Sequence, residues 1–75
     1  MFFEIVLPMD KTGSVNRQIY DHENFDKAKK SFHANCGKYF SIDTLSQAAV
    51  IVVDDLGNTL LKDSWVAPKE QASEN

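Results

Sequence analysis

The chain has 75 residues, 43% of them hydrophobic, 11% aromatic and 25% charged, a composition that excludes a disordered chain and fits one small globular domain. A net charge of −3 argues against a general nucleic-acid binder, which carries a basic patch. One cysteine, Cys36, excludes an intrachain disulfide, and no apolar run approaches the ~20 residues of a membrane helix.

A domain this short buries only ~60% of its unfolded surface, so self-association or a partner is the readiest source of extra stability. The opening Met1-Phe2-Phe3-Glu4 lacks the basic region of a signal peptide, and the expected location is the cytoplasm.

In chain order, Phe2 to Met9 reads as a first strand. Phe3, Ile5, Leu7 and Met9 alternate onto one face, and Phe2, Glu4 and Val6 onto the other. Pro8 belongs where its missing N–H is not needed. Asp10 to Ser14 is a turn, and Val15 to Tyr20 a short, mostly polar edge strand. Asn24, or alternatively Asp21, is the expected N-cap of a helix. Phe25, Ala28, Phe32 and Cys36 then fall at helical spacing, and Tyr39 and Phe40 extend the stripe. Gly37 either ends the helix in a left-handed cap or is tolerated inside it; the expected helix runs from Phe25 to about Tyr39, loosened after Gly37.

Ser41 to Gln47 reads as a connecting loop. Ala48-Ala49-Val50-Ile51-Val52-Val53 is a central strand, because six successive apolar residues require cover on both faces. Asp54 to Asn58 supplies a turn, and Thr59 to Trp65 returns as the last strand. Residues 1–68 are the expected domain, and the polar residues 69–75 an expected disordered tail.

The fold class is therefore α+β, strand-strand-helix-strand-strand. Hairpin pairing with the two most apolar strands central gives an antiparallel sheet of order 2-1-3-4, one helix packed on one face. One helix leaves the second face to be covered either by the C-terminal tail and Trp65 or by self-association or a partner, since large apolar patches mark interfaces. Register, which the sequence leaves open, decides which side chains lie there. The expected interface set is Phe2, Val6, Tyr20, Val50, Val52 and Trp65.

Chemistry-bearing residues are sparse. His33 and Cys36 share one side of the helix at H-x-x-C spacing, with His22 as a further ligand type. A structural zinc site needs four ligands, and the residues are more simply read as a packed thiol and a partly exposed histidine. A cysteine–histidine nucleophile lacks an orienting acid and an oxyanion hole, and the expectation is no enzymatic activity and no cofactor. Asp54 and Asp55 do not follow calcium-loop spacing and read as turn formers. Arg17, Lys27, Lys29 and Lys30 are candidate anion contacts, set against the simpler reading of a solvated surface.

The residues Ile5-Val6-Leu7, the segment Phe25-Asp26-Lys27-Ala28-Lys29-Lys30-Ser31-Phe32-His33, Val50-Ile51-Val52-Val53-Asp54 with Gly57-Asn58, and Asp63-Ser64-Trp65-Val66-Ala67-Pro68 together resemble a group of small proteins carried by phages and prophages of gut Firmicutes. The resemblance spans nearly the whole chain to Pro68, rests on packing and turn motifs, and brings no catalytic residue with it. It implies a protein that binds a host protein, such as an inhibitor of a CRISPR effector or another defence system. The leading expectation is thus a non-enzymatic protein-binding module, homodimeric or bound to a host protein. The alternatives are an oligomer sequestering a nucleotide signal and a small zinc or redox module.

Overall fold

A computed structural model describes residues 1–68; the expected tail at 69–75 lies outside the described residues. The elements are β1 (Phe2–Asp10), β2 (Gln18–His22), α1 (Phe25–Tyr39), β3 (Leu45–Val53) and β4 (Thr59–Val66). They form one four-stranded sheet of order β2-β1-β3-β4 with every neighbouring pair antiparallel. The expected α+β architecture is the observed one. No helix among the described residues is long and apolar enough to cross a membrane.

The helix begins where Asn24, in extended conformation, turns its side-chain oxygen to the Lys27 backbone N–H at 2.9 Å. Gly37 lies inside the helix, which closes at Phe40 with a backbone bond to the Cys36 carbonyl. Ala28, Phe32 and Tyr39 are the buried stripe, and they pack on Val6, Ala48, Val50 and Val52. Val6, Val50 and Val52 are fully buried, each contributing roughly 1.5–3 kcal/mol. Ala48 keeps the helix close to the sheet.

β1, β2 and β4 run on past the expected Met9, Tyr20 and Trp65, to Asp10, His22 and Val66, and two strand starts shift for local reasons. The second strand starts at Gln18, with Val15 making only an isolated bridge to Met9. Asn16 donates to the Pro8 carbonyl at 3.1 Å, but proline has no N–H to return the bond, so the ladder lapses there. The third strand starts at Leu45, because Ser46 is inserted at a bulge opposite Met9 and Asp10. Its hydroxyl donates to the Asp10 carbonyl at 3.0 Å, replacing a ladder bond the bulge removes.

The two hairpins close with one design. Asp10 and Asp54 each open a three-residue loop ending in glycine at positive φ, 92° at Gly13 and 84° at Gly57. Each glycine N–H bonds back to the aspartate carbonyl, and each aspartate side chain accepts backbone N–H groups of its own loop. These bonds to the charged form hold both carboxyls below the usual carboxylate range. The leading causes are the Thr12 hydroxyl for Asp10 and the Asn58 side-chain amide for Asp54.

Register assigns the two sheet faces. Val6, Val50 and Val52 lie beneath α1, which puts every residue opposite them on that side: Glu4, Pro8, Tyr20, Gln18, Leu61, Asp63 and Trp65. This corrects the expected interface set. Val6, Val50 and Val52 are the core. Phe2 packs against the core and against Phe25 of the helix, ring centroids 5.8 Å apart. Tyr20 and Trp65 belong to the helix side as well. The physical reason lies in Glu4, which shares their side and has all its partners on or beside the helix.

Candidate functional site

The side of the sheet away from α1 is formed by the alternate set of residues. Phe3, Ile5, Leu7 and Met9 of β1 stand opposite Val53, Ile51, Ala49 and Gln47 of β3. β2 adds Ile19 beside Ile5 and Asp21 beside Phe3, while β4 adds Lys62 beside Ile51, Ser64 beside Ala49 and Val66 beside Gln47. None of the described residues covers this face. Its two central strands are half-buried by their own neighbours, whereas Ile19 is 55% and Val66 67% exposed. Large β-branched and aromatic side chains occupy its middle, and its charged residues stand on the two outer strands.

At one end this surface dips into a hollow of about 400 Å³, lined by Leu7, Met9, Val15, Ala49, Trp65 and Val66 among others. Trp65 is the one residue of the expected interface set that reaches it, from the side where β4 ends. A second hollow of about 420 Å³ lies at the other side of β1, between the first hairpin and the segment after the helix. Its lining includes Gln18, whose amide oxygen accepts hydrogen bonds from both Tyr20 and Tyr39.

Beneath the helix lies a polar cluster that sequence reasoning missed. Among the described residues Glu4 is the one charged side chain that is fully buried. Ser31 Oγ donates to its Oε1 at 2.6 Å, Asn35 Nδ2 donates to its Oε2 at 2.7 Å, and His22 Nε2 lies 3.0 Å from Oε1. A buried carboxyl is tolerated only with its oxygens hydrogen-bonded, and here both are. The available signal was the spacing of Ser31 and Asn35: four residues apart, on the helix flank next to Phe32. The cluster is closed to solvent at Glu4, whose two oxygens both find partners inside the fold. It serves to fix how the helix docks on the sheet.

The other chemistry-bearing residues remain apart. His33 is exposed and stands edge-on to the neighbouring Phe32 ring, and His22 is engaged with Glu4. Cys36 packs at the margin of the core, where burial, followed by the charges of Asp63 and Glu4, pushes its thiol above the ordinary range. Such a thiol is a poor nucleophile and a poor metal ligand. Among the described residues no three histidine, cysteine or carboxylate side chains converge on a metal position. Lys27, Lys29 and Lys30 are exposed on the helix, while Arg17 is exposed on the connection into β2; none of the four lines either hollow.

Comparison with protein-family models, with curated proteins and with solved structures found no match to this chain.

Proposed function

We propose that this chain is a non-enzymatic protein-binding module whose working surface is the open face of the sheet. The observation that carries the reading is the row Phe3, Ile5, Leu7 on β1 against Val53, Ile51, Ala49 on β3, an apolar surface that no described residue covers. The chemistry elsewhere supports the same reading. The buried carboxyl has both oxygens hydrogen-bonded within the fold, burial pushes the thiol above its ordinary range, and the exposed lysines lie away from both hollows. The phage-like resemblance makes a host defence protein the first partner class to screen.

The test is site-specific photocrosslinking in cells. A photoreactive side chain at Ile51 is expected to give a discrete protein adduct, and the same group at Lys29 on the outer helix is not. Adducts from Lys29 alone, or from neither position, would overturn the proposal.

A further inference from the structure

We infer that the occupant of the open face is a second copy of this chain, its sheet stacked face to face on the first; the inference rests on the protein-binding reading above. Three observations select this occupant. The first is charge. The open face carries one acid, Asp21, on the outer strand β2, and one base, Lys62, on the opposite outer strand β4. Alternation between Val15 and Ile19 adds Arg17 on the β2 side.

Two sheets stacked about a two-fold axis along the strands put β2 of one copy over β4 of the other. Asp21 then lies one residue pair from the partner copy's Lys62, within reach of its long side chain, and symmetry makes the contact twice. An axis across the strands instead brings Asp21 within one pair of the other copy's Arg17. In both alignments the rim acid meets a base, and the apolar rows lie over apolar rows.

The second observation is the edge. Strand β4 is the long free edge of the sheet, and Lys62 and Asp63 stand at its middle. Antiparallel pairing of two β4 edges centred on either residue sets it against its own copy, an unfavourable like-charge pair. Face stacking escapes that repulsion, whereas edge pairing escapes it only by sliding to a register with fewer paired residues.

The third is size. Four strands ~4.8 Å apart, averaging about eight residues of ~3.3 Å, present ~500 Å² per copy. The pair therefore buries ~1,000 Å², the lower bound of a specific interface, and the dimer is concentration-dependent rather than obligate. Residues 69–75, Lys-Glu-Gln-Ala-Ser-Glu-Asn, offer a single apolar side chain, Ala72, and are a poor match for the surface.

The experiment is sedimentation equilibrium of the full chain over a micromolar-to-millimolar series, with Ile51→Lys and Asp21→Lys alongside. The wild type is expected to dimerise, Ile51→Lys to stay monomeric with an unchanged circular dichroism spectrum, and Asp21→Lys to weaken the dimer by about tenfold. Adding Lys62→Asp or Arg17→Asp to Asp21→Lys tells which axis holds, by which of them restores association. A chain truncated after Pro68 dimerises as the full chain does. A wild-type monomer throughout the series, or a dimer indifferent to Ile51→Lys, overturns the inference. If that monomer still gives a heavier adduct from Ile51 in cells, a different protein holds the face and the protein-binding reading stands. A monomer without any adduct removes both.

Discussion

The two faces of this sheet solve the same problem in opposite ways. Beneath the helix, Val6, Val50 and Val52 are sealed from water and a carboxyl is buried among them with its partners. On the far face the side chains are on average more apolar, yet none of the described residues covers them. Mean polarity therefore does not account for the side the helix took, and the helix side is the one where Glu4 meets Ser31 and Asn35. The comparison is sharpest between neighbours. Val50 and Ile51 are adjacent, similar in chemistry, and on opposite faces. Val50→Asp places an unpaired charge in the core at a cost of at least ~4 kcal/mol, comparable with the whole stability of roughly 4–11 kcal/mol expected for this length. It is expected to unfold the domain. Ile51→Lys is expected to cost the isolated chain about 1 kcal/mol or less. Urea titration followed by circular dichroism separates the two; equal losses would mean that the open face is packed.

The next largest effect concerns Glu4. Removing its carboxyl as Glu4→Leu strands the donors of Ser31 and Asn35 beneath the helix, an expected loss of about 2–4 kcal/mol. Replacing the donors as well, in Glu4→Leu with Ser31→Ala and Asn35→Leu, is expected to return most of that stability, because unmet polar groups and not the lost bonds carry the penalty. A triple variant no more stable than the single one would break this account. The check is the urea midpoint at constant m-value.

This cluster also explains what was legible beforehand. Strand number, order and antiparallel pairing followed from the apolar runs of β1 and β3 and from the two Asp-x-x-Gly turns. The helix followed from the Phe25, Ala28, Phe32 spacing and the Asn24 cap. The face assignment did not follow, because alternation says which residues travel together and not which group meets the helix. Nothing in the alternation marked Glu4 as buried, and only the three-dimensional approach of Ser31, Asn35 and His22 shows its side to be the helix side. Pro8 was placed correctly in principle, but its effect on the opposite strand at Asn16 needed the register. The candidate site was legible as an uncovered face and illegible as a set of residues, and the open face turned out to be the Phe3, Ile5, Leu7 set.

Smaller effects lie at the joints that hold both faces in place. Asn24→Ala removes the cap on the Lys27 N–H and is expected to cost ~1 kcal/mol, read as a lower urea midpoint. The hairpin aspartates act through pH. Their folded-state carboxyls titrate below the ordinary range, so their contribution is complete above that range. It is lost as pH falls through the unfolded and then the folded pKa, since protonation withdraws an acceptor from Thr12 and Ser14 in one loop and from Leu56 and Asn58 in the other. Asp10→Asn with Asp54→Asn keeps a side-chain oxygen for each turn and removes the titration. The double variant is expected to be slightly less stable than wild type at neutral pH, with the gap closing as the solution is acidified. Because the two loops sit at opposite ends of the sheet and share no partner, the single variants should add to give the double. A gap that stays constant down to the acid limit would show that these loops are held by their glycines and backbone bonds alone.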